Sequence, residues 1–210
     1  MRHVAASLEG ISAIVENGIP CDHAVLLTGQ DFPVKSNEEI KARLDRNHGW
    51  SFLSYFPVPD NDEWLPDGGL DRIDRWHFWV RGRRLQLPSE DGQGRLGSAL
   101  RLVNGVVPRR RFLPGLRPYG GSSYWCLSGE AVAFVHRYIR DHPEFVSFFR
   151  RVFIPDELFF QTVNDKGATI DAGSIRRAGD VAPGKDVTTQ PVVPQTKPSP
   201  VQPGPDKPKP

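Results

Sequence analysis

Two hundred and ten residues, 38% hydrophobic and 25% charged, supply one sizeable core but are short for two. The formal net charge of +2 comes from nearly balanced acids and bases, so the global charge calls for neither nucleic acid nor an anionic membrane. Two cysteines, Cys21 and Cys126, are too few for a disulfide framework and lack zinc-ligand spacing, which makes a reducing compartment the default expectation.

Leu8, Ile11, Ile14 and Val15 recur at helical spacing, and Gly18-Ile19-Pro20 stops that helix. His23 to Thr28 reads as a short buried strand ending at Gly29-Gln30-Asp31-Phe32-Pro33, and a turn after a strand is where α/β proteins commonly place a ligand. Ser36-Asn37-Glu38-Glu39 is a capping box that opens a helix running to about Asn47. Trp50 to Phe56 alternates as a strand does, and Pro57 to Gly69 is a loop. Residues 70–87 then collect Arg72, Arg75, Trp76, His77, Trp79, Arg81, Arg83 and Arg84.

Pro88 to Gly121 is loop-like, with Arg109-Arg110-Arg111 at its centre. Tyr124 to Ser128 is an aromatic strand, and Ser128 caps a helix whose Val132, Val135 and Ile139 share a face. Phe145, Phe148 and Phe149 form a second apolar stripe, and Pro155 is expected at the first position of a further helix, with Asp156 and Glu157 in its first turn. From Asp165 the chain has no aromatic residue, and nine prolines fall within the 28 residues of 183–210. Such a composition cannot offset the entropy of ordering, so 165–182 is expected to be irregular and 183–210 a disordered tail. No apolar run approaches the roughly 18 residues of a membrane span, nor is there a signal-peptide pattern. A cytoplasmic location, with any membrane association peripheral, is expected.

Three constellations carry chemistry. Asp156 and Glu157 sit among Phe153, Leu158, Phe159 and Phe160; a carboxylate at a helix start can serve as a general base, although for an isolated Pro-Asp-Glu simple complementation of the helix dipole is the commoner case. Gly29-Gln30-Asp31 is either ordinary turn chemistry or a site at a strand end. The Arg/Trp/His stretch reads equally as a half-exposed amphipathic hairpin or as a surface holding sugars and phosphates, and Arg109 to Arg111 as a solvated loop. Without a nucleic-acid module signature, DNA or RNA binding is the least favoured use of these bases. There is no Walker-type Gly-rich phosphate loop, no G-x-G-x-x-G after a strand, no H-E-x-x-H and no G-x-S-x-G in the sequence, which argues against phosphate-loop NTPases, Rossmann dehydrogenases, zincins and α/β-hydrolases.

With these residues in view, the chain resembles the core-2/I-branching family of β-1,6-N-acetylglucosaminyltransferases and peptide O-xylosyltransferases. The resemblance rests on Leu26-Leu27-Thr28-Gly29-Gln30-Asp31-Phe32-Pro33-Val34-Lys35-Ser36, on Gly121 to Ser128, and on Phe153-Ile154-Pro155-Asp156-Glu157-Leu158-Phe159-Phe160-Gln161-Thr162, and covers roughly residues 1–164. It implies an α/β chain with a mixed sheet flanked by helices, part of the A-type nucleotide-sugar glycosyltransferase fold, and an inverting transfer of N-acetylglucosamine or xylose from a UDP-sugar to an acceptor hydroxyl of a glycan or other molecule. Under it Glu157 is the catalytic base; Gly29, Gln30 and Asp31 bind the donor; Tyr124, Trp125 and Asp156 line the acceptor side; and Arg176 and Arg177 are the candidates for the diphosphate. No metal and no cofactor is expected. The family's first nucleotide-binding strands would lie ahead of this chain's start, so weak UDP binding is also expected, and a catalytically inactive carbohydrate-binding remnant is the alternative.

Overall fold

The structure is a computed structural model that describes residues 1–54, 56–59, 64, 67–88, 106–170 and 175–177. It is a mixed α/β arrangement. Helix α1, Arg2–Glu16, buries Val4 and Ile11. It ends in a Schellman turn: Ile19 N–H donates to the Ile14 carbonyl (2.9 Å), Gly18 N–H to that of Val15 (3.2 Å), and Gly18 takes the left-handed φ of 60° that this closure requires. Helix α2, Asn37–Asp45, carries the expected capping box, with Ser36 Oγ accepting from Glu39 N–H and Glu39 returning the bond to Ser36 N–H.

The principal sheet has four strands: β1 (His23–Val25), β2 (Ser51–Leu53), β7 (Trp125–Ser128) and β8 (Ile175–Arg177), in the spatial order β1-β7-β2-β8. β7 is antiparallel to both neighbours, with Val25 and Phe52 flanking Cys126 and Leu53 opposite Trp125. β8 runs parallel to β2, which makes the sheet mixed. Two small ribbons accompany it. β3 (Phe56–Pro57) pairs with β6 (Tyr119–Gly120), and β4 (Trp76–Val80) with β5 (Arg83–Leu87) through a two-residue turn at Arg81-Gly82, where φ is 50° and 77°. A single turn of helix, α3 (Asp71–Asp74), leads into β4.

Ser128 ends β7 and caps α4, Gly129–Asp141, by accepting from Ala131 N–H at 3.2 Å. Helix α5, Pro143–Phe149, a 3-10 turn at Pro155–Glu157 and helix α6, Phe159–Ile170, follow. α4 packs against α1, α5, α6 and β7. The core therefore lies between the helices and one face of the sheet, filled by Val4, Ile11, Leu127, Val132, Val135, Phe145, Phe149, Phe159 and Phe160.

Several expectations change. The strand expected over His23 to Thr28 shortens to three residues and is not buried: among the described residues β1 pairs on one side only, and Val25 and Leu27 are 50% and 59% exposed. Trp50 to Phe56 divides between the main sheet and the β3–β6 ribbon. Asp156 and Glu157 occupy a separate 3-10 turn, and Leu158 leaves helical geometry at φ −129° before α6 begins. Residues 165–170 complete α6, and 175–177 form β8, where an irregular segment was expected. The expected disordered tail, 183–210, lies outside the described residues, as do residues 89–105 of the expected loop. Among the described residues no helix is long and apolar enough to cross a membrane.

Candidate functional site

The site is built on the 3-10 turn. Its N-terminal neighbour, Ile154, holds φ 49° and ψ 61° immediately before Pro155. A β-branched residue in the left-handed region is uncommon, and such outliers cluster at functional positions. The turn is tied to the segment preceding β7 by bonds from both sides. Gly121 N–H donates to the Glu157 carbonyl (2.8 Å), Ser123 Oγ–H to Asp156 Oδ2 (2.9 Å), and Gln161 Nε2 to the Ser122 carbonyl (2.5 Å). Thr162 Oγ1 accepts from Tyr119 N–H (3.1 Å) and donates to its carbonyl (3.2 Å).

The two acids diverge. Asp156 lines a cavity of about 660 Å3 bounded by α1, by residues 24–29, by Ser123, Tyr124 and Trp125, and by Phe160. Glu157 is not among its lining residues. Its Oε2 accepts from Arg72 Nη1 at 2.5 Å, while Oε1 makes no hydrogen bond among the described residues. Arg72 lies over Trp64, its Cζ 3.6 Å from the ring centre, and Phe56 meets that ring edge-on at 4.9 Å. Trp64 in turn fits a slot in which a Cβ on Gly69 or Gly120 would fall 2.3 or 2.5 Å from its ring carbons. The Arg72 carbonyl accepts from Phe153 N–H at 3.0 Å, so backbone and side chain both hold α3 against the carboxylate turn.

Gly29, Tyr124, Trp125 and Asp156 are thus brought together around one cavity. Gln30 and Asp31 lie one and two residues beyond its rim on an exposed turn, where Asp31 Oδ2 accepts from Thr28 N–H at 2.6 Å. That bond is ordinary turn chemistry. Glu157 stands on the other side of its turn. Arg176 and Arg177 lie on β8, their backbones opposite Phe52 and Leu53 of β2, and Leu53 is itself opposite Trp125. Trp125 is only 7% exposed, its ring lies tilted 5.1 Å from that of Phe160, and its indole N–H has no hydrogen-bond partner among the described residues.

Three participants escaped the sequence reading. Arg72 belongs to the basic aromatic stretch, but no spacing rule connects it to a carboxylate 85 residues away. Trp64 had no motif around it, and Ser123 lies within the Gly121 to Ser128 segment but was assigned no role. The small α1 residues Ala6, Ser7 and Gly10, which face the cavity, are at helical spacing and could have been noticed. Of the Arg-rich loop, Arg109 and Arg111 are exposed as expected and Arg110 is not. Arg109 pairs with Asp74 at 2.5 Å, and Arg110 lies 3.8 Å above Phe148 while donating to its carbonyl at 2.7 Å. Burial lowers Arg110 to about 10, with the nearby Arg151 charge adding to the effect. A guanidinium is weakly hydrated enough to pack this way.

Cys21 and Cys126 are free thiols, and burial pushes Cys126 up to about 11, which keeps it protonated and unreactive at neutral pH. Among the described residues no group of three His, Cys, Asp or Glu side chains is placed to hold a metal ion. Comparison with protein-family models finds no match, and comparison with curated proteins finds no significant relative.

Proposed function

We propose that this chain is the catalytic part of an inverting glycosyltransferase of the A-type nucleotide-sugar fold, moving N-acetylglucosamine or xylose from a UDP-sugar to an acceptor hydroxyl without a metal. The observation that carries the reading is convergence. The segments Leu26 to Ser36, Gly121 to Ser128 and Phe153 to Thr162 carry the resemblance, lie apart in the sequence and are neighbours in the fold, through Leu26 N–H to Trp125 O (3.0 Å), Ser123 to Asp156, and Gly121 to Glu157. In the proposed reaction the acceptor oxygen attacks the anomeric carbon as the bond to the UDP oxygen breaks, and Glu157 receives the hydroxyl proton. Arg72 orients the carboxylate through Oε2 and leaves Oε1 for that proton. Tyr124, Trp125 and Asp156 form the acceptor side, and the Gly29–Asp31 turn adjoins the donor.

Incubation with UDP-N-acetylglucosamine or UDP-xylose and hydroxylated acceptors, read by mass spectrometry of the product, tests the activity. Glu157→Gln keeps the shape and removes the basic oxygen, so turnover should fall by about 10²–10⁴-fold with acceptor binding and melting temperature preserved. Asp156→Asn should cost much less turnover. Equal losses, or unfolding of Glu157→Gln, would remove Glu157 as base.

The second reading is carbohydrate binding without transfer. It is favoured by the Arg72–Glu157 ion pair and by the position of Glu157 outside the cavity lining. Glycan binding with no turnover of either UDP-sugar would establish it.

A further inference from the structure

We propose that the cavity beside Asp156 takes an amphipathic acceptor: an alkyl or aryl group seated between α1 and β7, with its hydroxylated head at Asp156 and Tyr124. The role of acceptor rests on the transferase reading above; the chemical preference rests on the walls of the cavity. A volume of about 660 Å3 is that of a small-molecule site. Ile11 and Ile14 of α1, Val25 of β1, Leu27 just beyond it, and Trp125 and Phe160 form its apolar wall, beside the polar His3, Ser7, Thr28, Ser123, Tyr124 and Asp156. Val25, Leu27 and Tyr124 are each at least half exposed at its rim. A free monosaccharide seated there would bury hydroxyls against side chains that cannot bond them, which is costly. An apolar group loses nothing in the same place.

The polar side of the cavity orients the occupant. The Asp156 carboxylate, already accepting from Ser123, offers its remaining oxygen to one hydroxyl, and the half-exposed Tyr124 stands beside it on the lining. A hydroxylated end there and an apolar end against Ile14, Val25 and Leu27 describe an amphipathic molecule.

Gly10 supplies the means of a test. It stands inside α1, is exposed and lines the cavity, and a Cβ there would meet nothing within 4 Å. Gly10→Leu should place a large side chain over that space while favouring the helix.

Calorimetry on the full chain with n-octyl β-glucoside, below its micelle concentration, and with methyl β-glucoside separates the apolar group from the sugar. The octyl compound should bind at least about tenfold more tightly, and Gly10→Leu should abolish that difference at an unchanged or higher melting temperature. If Gly10→Leu does not fold, Val25→Asp, at the exposed rim, is expected to weaken octyl binding by a similar factor. Equal affinity for the two glucosides, no binding of either, or octyl binding indifferent to both variants overturns the proposal. The transferase reading fails separately. Octyl binding that depends on Gly10 without turnover of any UDP-sugar supports the apolar site and removes its role as an acceptor site. Transfer to methyl and octyl glucosides alike, unaffected by Gly10→Leu, leaves the transferase and removes the apolar acceptor.

Discussion

Ile154 decides which way two adjacent carboxylates face. Held at positive φ ahead of Pro155, it costs of order 1–3 kcal/mol, and the turn it begins presents Asp156 to the cavity and Glu157 to Arg72. The neighbouring His77 shows burial acting on a single group. It is 3% exposed, its Nε2 faces the Asp71 carbonyl at 3.0 Å, and its Nδ1 has no partner among the described residues. Burial holds it below the ordinary value of 6.5; the Asp71 hydrogen bond and charge oppose that shift, while the charges of Arg84 and Arg110 add to it. Just below 6.5 the unfolded chain therefore binds a proton that the folded chain refuses, and stability falls as pH falls through this window. Urea midpoints measured between about pH 7 and about pH 5 should decline more steeply for the native chain than for His77→Gln. Parallel slopes would show that His77 titrates alike in both states.

At the scale of elements, the site depends on the β3–β6 ribbon as much as on the turn it faces. β6 offers Gly120 where any larger residue would strike Trp64, at 2.5 and 2.6 Å from two ring carbons, and Phe56, at 3.1 Å. Trp64 supports Arg72, and Arg72 holds Glu157. Gly120→Ala should force the indole out of its slot at a cost of about 1–3 kcal/mol. Combined with Trp64→Leu, the two losses should be less than additive, because the second change removes the ring that the first displaces. Additive melting shifts in this double-mutant cycle would contradict the slot.

For the molecule as a whole, rigidity comes from phenylalanines beneath the site. Phe159 is fully buried, with ring contacts to Phe145 at 4.9 Å, Phe149 at 5.1 Å and Phe160 at 5.2 Å, and Phe160 continues the stack to Trp125. Phe159→Ala should cost about 3–5 kcal/mol in a denaturant melt. Trp79, 70% exposed on β4, should tolerate Trp79→Ser within about 1 kcal/mol. A small effect at Phe159 would mean that the aromatic layer is looser than its packing implies.

What could be read from the chain alone was what neighbours a few residues apart decide. The Ser36 capping box, the Ser128 cap, the glycine stop after α1 and the Phe145–Phe149 stripe all close within one or two helical turns, and each stands where residue pattern places it. Of the residues singled out with the resemblance, Gly29, Tyr124, Trp125 and Asp156 line one cavity, whereas Gln30, Asp31 and Glu157 do not line it. Tertiary structure alone decided that β7 lies between β1 and β2, that β1 is an edge with an exposed face, that Arg110 is packed on an aromatic ring, and that Glu157 meets Arg72 instead of the start of a long helix. Each of these depends on partners distant in sequence, and a local pattern of hydrophobic and charged residues carries no record of which distant partner it will meet.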